Sequence, residues 1–267
     1  MDFTLTTYKK LLTSIQDAGY AIYTFEDYLK IEEPAEKFVI LRHDVDEYPE
    51  IALKMAEVEH ILGIRSSYYF RIIKRSNNPK IIKKIVALGH EIGYHYEDVS
   101  FANGDIELSK KTFLRNLEYF RSFYPVKTVC MHGSSASKYD NRIIWEYVQF
   151  ESYDLLGEPY LTTDFNKVFY ISDTGRAWDR EKYRARDIIV NKVHLKLHTT
   201  NHIIKSIIQN EFPKQIMILA HSLWTNNFFL WLWVLIRSVL LNKFKYMAMH
   251  NRYIMKSYSR LSKYINK

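Results

Sequence analysis

The chain has 267 residues, 47% of them apolar and 15% aromatic with 21 tyrosines, a composition that excludes a disordered protein and allows a sizeable α/β core. Cys130 is the only cysteine, which excludes an intramolecular disulfide, suits a reducing compartment and, in Val129-Cys130-Met131, reads as packing in a buried strand. Of the net charge of +8, residues 242–267 supply +7 from five Lys and two Arg with no acidic residue, so the rest is near neutral and is not a generally basic nucleic-acid binder.

Met1-Asp2-Phe3-Thr4 lacks a charged segment followed by an apolar one, so no signal peptide and a cytoplasmic location are expected. Leu5, Tyr8, Leu12 and Ile15 fall at helical spacing and predict an opening helix over 4–18. A connector rich in Tyr and acidic residues runs to Glu36. Phe38-Val39-Ile40-Leu41 is β-branched and apolar, predicts a buried strand, and delivers Arg42-His43-Asp44-Val45-Asp46 at its end. On an extended chain residues i and i+2 share a face, so Asp44 and Asp46 point into one pocket. Two such carboxylates imply a cation or a shared proton between them.

Ile51, Met55, Val58 and Leu62 mark a helix stopped by Gly63. The alternation continues with a strand at 67–70, a helix at 81–88 stopped by Gly89, a strand at 91–95, a helix at 106–122 and a strand at 128–131. Residues 141–150 are expected to be helical, 153–156 and 168–172 to be strands, and 187–196 to add another. A helix over 200–210 and an apolar strand over 215–220 follow. This rhythm gives about seven strand–helix units and a largely parallel sheet, favouring a barrel over an open sheet. Three segments are expected: a helical extension over 1–35, a barrel over 36–225, and an apolar helix with a basic tail over 226–267.

Asp44, Asp46, His95, His132, Asp173 and His221 each fall at or just past the C-terminal end of a predicted strand. In a parallel barrel those ends meet at one rim, where catalytic sites are built. His with carboxylates suits zinc or another divalent first-row metal. Glu97, two residues past His95, is a candidate oxygen ligand, whereas His90 at the start of its strand is expected to be structural. His221 is a candidate general acid, Asp173 a candidate to orient it, and Trp178 a candidate pocket wall.

His-Asp-Val-Asp, Gly-His-Glu-Ile-Gly-Tyr-His and Ile-Leu-Ala-His, in this order, resemble the NodB-homology polysaccharide deacetylases, carbohydrate esterase family 4. Arg-His-Asp-Val-Asp, Met-His-Gly and Ile-Ser-Asp-Thr-Gly-Arg are similar to its WbmS-like branch, found with bacterial surface-glycan genes. The resemblance spans about residues 36–225 and implies a distorted (β/α)7 barrel. It implies Asp44 as base, Asp46 and His95 as metal ligands, His221 as general acid and Asp173 as the aspartate that orients it. Two places depart from the family pattern. Val99 stands where a second metal-binding His is usual, and Met131-His132-Gly133 stands at the motif whose arginine pairs with the base. His132 is therefore the candidate third ligand, and Arg42 or His43 the candidate to hold Asp44 ionised in the substrate pocket. The expected activity is removal of an acyl group, N-acetyl above all, from a sugar. The contrasting expectation is a catalytically inert glycan-binding or scaffold module.

Phe228 to Ile236 is the most apolar stretch, and Arg237 ends it short of the ~20 residues a membrane span needs. It reads either as the barrel's last helix or as an interfacial helix. In the second reading the basic tail, with Tyr246, Tyr253, Tyr258 and Tyr264, faces an anionic membrane and a lipid-linked substrate. Nucleic acid is not expected as a partner.

Overall fold

A computed structural model describes residues 1–133, 137–178, 189, 191 and 195–250, with backbone alone for 244–250. Its centre is strand β2 (Phe38–Val45), in which all eight residues are buried. Such a strand must be covered on both faces and paired on both edges. On one edge β1 (Ala21–Tyr23) pairs with Phe38–Ile40, and then β3 (Ser67–Phe70) takes over along Arg42–Val45. On the other edge β7 (Gln215–Leu219) pairs with Phe38–Arg42. With β4 (Glu91–Tyr96), β5 (Val129–Met131) and β6 (Phe169–Ser172), the order is β5-β4-β3-β2-β7-β6, and every pairing is parallel. The seven parallel strands curl into a distorted barrel that the described residues leave open between β5 and β6.

Parallel neighbours need long crossovers, and helices supply them. Helix α1 (Leu5–Asp17) is capped by Thr4, and α2 (Phe25–Lys30) by Thr24, each side chain accepting a backbone N–H. Helices α3 (Pro49–Ile61) and α4 (Pro79–Ala87) both start with proline. They are followed by α5 (Asp98–Phe101), α6 (Ile106–Arg121), α7 (Pro159–Thr162), α8 (Thr200–Ile208) and α9 (Phe228–His250). Side chains alternate across β2. Phe38 and Ile40 join one hydrophobic cluster, Val39 and Leu41 another. Gly93 of β4 lets the Tyr69 ring lie against the strand; a Cβ there would come within 2.4 Å of that ring.

The sequence expectations fail in three places. The connector 20–36 holds β1 and α2, both too short for a periodic signal. Residues 141–150 form a 3₁₀ turn, Asn141–Glu146, followed by a second, Phe150–Tyr153, not one helix. The strand expected at 153–156 is absent. Arg121 Nη2 takes the Tyr153 carbonyl at 2.5 Å and the Asp154 carbonyl at 3.3 Å, and Asp154 is left-handed with φ 53°. Only a single bridge, Thr128 to Gly157, follows it. The strand expected over 187–196 falls mostly outside the described residues. The described Asn191 instead caps the β6 edge, its side-chain amide bonding Tyr170 N and O at 2.8 Å each. Tyr253, Tyr258 and Tyr264 also lie outside the described residues.

Candidate active site

Because all strands are parallel, their C-terminal ends form one rim, and the reactive residues of five strands gather there. Asp46 follows β2, His95 lies one residue from the end of β4, and His132 follows β5. Asp46 Oδ1 is 3.5 Å from His95 Nε2 and 3.4 Å from His132 Nε2, and the three ligand atoms lie within 4.8 Å of one another. The far ring nitrogens fix the tautomers. His95 Nδ1 is 2.9 Å from the Cys130 carbonyl oxygen, which can only accept, so Nδ1 carries the hydrogen. His132 Nδ1 faces Glu97 Oε2 at 3.0 Å in the same way. With the Nε2 atoms unprotonated, both imidazoles would aim a lone pair at Asp46 Oδ1, a buried oxygen with no hydrogen-bond partner.

Three acceptors without a proton among them repel, and a divalent cation at their centre turns the repulsion into coordination. The residues present thus fit such an ion. Without one the cluster takes up protons. Burial alone would lower the His95 pKa, but Asp44 and Asp46 raise it more. Burial likewise pushes Asp46 up, while His132, His95 and Arg71 hold it well below the usual carboxylate range.

Glu97 is buried and offers no free oxygen. Arg71 Nε and Nη2 both sit 2.6 Å from its Oε1, and His132 takes Oε2. It is buried behind His132, and His132 and Arg71 lower its pKa against the effect of burial. With both oxygens engaged, the expectation of Glu97 as an oxygen ligand is corrected. Such a carboxylate orients a ligating imidazole and strengthens its basicity.

Asp44 lies on the Arg42 face of β2. Arg42 Nη1 donates to Asp44 Oδ1 at 3.1 Å, and the guanidinium, fully buried, donates through Nη2 to Tyr160 Oη at 2.5 Å. The Tyr160 ring stacks under it at 4.7 Å. Nη1 also lies 2.6 Å from Cys130 Sγ, and burial pushes that thiol well up; Sγ lies with ligand atoms of Asp44 and His95 within 4.8 Å of one another, a second grouping beside the first. Of the two candidates to pair with Asp44, the structure places Arg42 beside it. His43 points to the opposite face, as strand alternation requires. There its Nδ1 meets the Ala220 carbonyl at 2.9 Å and its Nε2 meets Glu59 Oε1 at 2.9 Å, so the expectation of His43 in the pocket is corrected.

On the other flank, His221 Nδ1 is 2.6 Å from Asp173 Oδ1. Asp173 also accepts the His221 backbone N–H and, at 2.9 Å, Trp224 Nε1. Burial lowers the His221 pKa, but Asp173, then Asp46 and Asp44, carry it to about 9. Trp178 does not wall the opening. It is buried, its Nε1 donates to Thr200 Oγ1 at 3.0 Å, and its ring packs on Trp224 at 6.0 Å, behind Asp173.

The sequence reading missed Arg71, Tyr160 and Trp224. Arg71 directly follows β3 and obeys the strand-end rule that found the others. Tyr160 and Trp224 carry no local signal.

No protein-family model matches the chain, and no curated protein matches it. Solved structures with a similar fold include a carbohydrate esterase family 4 pseudoenzyme from Bacillus anthracis, 14% identical, covering 79% of this chain and 62% of that one at a TM-score of 0.42. The chain thus spans about 62% of that protein's length. A family 4 esterase from Streptococcus mutans is 13% identical over 85% of this chain and 90% of that one, TM-score 0.46. A family 4 carbohydrate esterase from Bacillus subtilis is 11% identical over 87% and 82%, TM-score 0.42. These are likenesses at low identity, and none assigns an activity or a residue to this chain.

Proposed function

We propose that this chain is a metal-dependent hydrolase that removes an acyl group, N-acetyl in the first instance, from a carbohydrate used in a bacterial surface glycan. The observation that carries the reading is the convergence of Asp46 Oδ1 and the two Nε2 atoms of His95 and His132, with Asp44 Oδ2 3.8 Å from His95 Nε2 and the His221–Asp173 pair on the same rim. The sequence resemblance supplies the sugar and the amide bond. Two imidazoles and a carboxylate suit zinc on chemical grounds.

Asp46, His95 and His132 would hold the ion, which supplies a Lewis acid for the acyl oxygen and a lowered pKa for water. Asp44 accepts the proton of the attacking water, held in place by the Arg42 Nη1 donation to its Oδ1. His221, protonated at neutral pH and held by Asp173 through Nδ1–H, gives its proton to the departing amine. The substrate is proposed to be lipid-linked and met at the inner face of the membrane. Val99, at the family's second histidine position, is buried in the core, and His132 reaches the site from β5 in its place.

Metal analysis of purified protein tests the reading. One equivalent of zinc should bind, and Asp46→Ala, His95→Ala and His132→Ala should each lose it. Glu97→Ala should keep the ion but bind it about 10–100-fold more weakly, the usual effect of losing such a supporting carboxylate. Asp44→Asn should retain zinc while turnover of an N-acetylated sugar falls about 10²–10⁴-fold. Protein that takes up no metal after reconstitution would be the inert glycan-binding module instead.

A further inference from the structure

Helix α9 is built the wrong way round for a helix in water. Projected at 100° per residue, the positions facing the protein body include Arg237, Ser238 and Asn242, whereas every exposed position from 228 to 240 is apolar. Two of these polar residues, Arg237 and Asn242, are in use. Arg237 Nη1 donates to Glu47 and, at 3.3 Å, to Tyr48 Oη, and Asn242 Nδ2 donates to the Gly175 carbonyl at 2.9 Å. Trp231 Nε1 donates to the Asp2 carbonyl at 2.7 Å, and Val234 is buried between these anchors. The rotation of the helix is therefore fixed by hydrogen bonds. On the outer side Phe229 is 82% exposed, Trp233 58% and Leu240 62%, with Leu232, Ile236 and Val239 exposed between them.

A continuous apolar stripe of this length marks a contact surface. Its charge surroundings select the partner. Lys243 lies on the same exposed arc one turn beyond the stripe, no acidic residue occurs after Glu211, and residues 242–267 add +7. No helix among the described residues is long and apolar enough to cross a membrane. We infer that the outer face of α9 is a docking surface for an anionic phospholipid bilayer, on which the helix lies in the plane of the interface. The basic segment supplies long-range attraction, and Phe229, Trp233 and their neighbours enter the headgroup boundary.

The placement bears on the active site. Arg237 grips Glu47 and Tyr48, the two residues that follow Asp46, so the docked helix lies beside the rim. Access of a lipid-linked sugar from that side rests on the hydrolase reading; bilayer binding does not.

The test is sedimentation of the full-length chain with phosphatidylcholine vesicles, with and without phosphatidylglycerol, at low and high salt. The chain should bind the anionic vesicles and release them partly as salt rises, because charge is screened within about 10 Å at ~0.1 M while apolar burial is not. Phe229→Ser/Trp233→Ser should melt like the parent, since both side chains are exposed, yet bind roughly tenfold or more weakly. Binding that is absent, indifferent to lipid charge, or unchanged in the double variant overturns the inference. So does a dimer that the double variant splits and that does not bind vesicles, which would make a second copy of the chain the occupant. Loss of vesicle binding would leave the zinc measurements untouched, so the two proposals fail separately.

Discussion

At the scale of single residues, strand alternation decides which side chains reach the site. Arg42 and Asp44 share a face because they are two apart, and His43 between them is turned away, although adjacency in the sequence grouped all three. The partners that fix them are distant. Tyr160 lies 118 residues from Arg42, a separation at which no local pattern is legible. The His221–Asp173 pair yields a prediction. The folded pKa of about 9 lies above the ordinary 6.5, so the pair adds stability that is complete below about 6.5 and is lost as pH rises through about 9. The proton His221 would give to a leaving amine is present at neutral pH, and the rate should fall on the alkaline side as it is lost. Histidine titration by NMR should find His221 near 9 in the metal-free chain and well below that in Asp173→Asn. Zinc should also lower it, because the ion neutralises one of the carboxylates that raise it. A His221 midpoint unchanged in Asp173→Asn would remove Asp173 from the orienting role.

At the scale of elements, one buried carboxylate fastens four of them. Glu59 of α3 accepts from Tyr8 of α1, from Ser66 at 2.5 Å and from Tyr68 of β3 at 3.0 Å, and it faces His43 of β2 at 2.9 Å. Burial pushes its pKa up, but His43 and the other donors bring it down to about 2. Its folded pKa lies below the ordinary 4.5, so the stability it confers is present above about 4.5 and disappears as pH falls through about 2. Replacing it leaves several buried donors short of their partner, so Glu59→Gln should lose about 3–5 kcal/mol at pH 7. Urea unfolding should show that gap narrowing as the pH is lowered past 4.5; a gap independent of pH would assign the loss to packing instead. The strand β2, the strand-ending His and Asp residues and most long helices were legible because their periods are carried by many residues. The strand β1, three residues long, and the 3₁₀ turns after β5 were not. Their form is set by contacts such as Arg121 with the Tyr153 and Asp154 carbonyls, which only the folded chain brings together.

At the scale of the molecule, the three proposed ligands come from β2, β4 and β5, and β5 is a three-residue strand at an open edge of the described sheet. His132 is tied inward by its own N–H to the Tyr96 carbonyl at 2.8 Å and by Asn141 Nδ2 to its carbonyl at 3.0 Å. An ion shared by Asp46, His95 and His132 would clip that edge to the centre of the sheet. It would do so only in the folded chain, because the ligands are far apart in sequence, so binding energy appears as folding stability. At free zinc about a hundredfold above its Kd, linkage gives about 2.7 kcal/mol, and for a chain of this size that raises Tm by roughly 5–10 °C. The same zinc should leave the Tm of His132→Ala near its metal-free value. Amide exchange should slow most at β5, an edge strand whose one strand partner among the described residues is β4. A rise in Tm that survives in His132→Ala would place the ion elsewhere and leave the β5 edge unclipped.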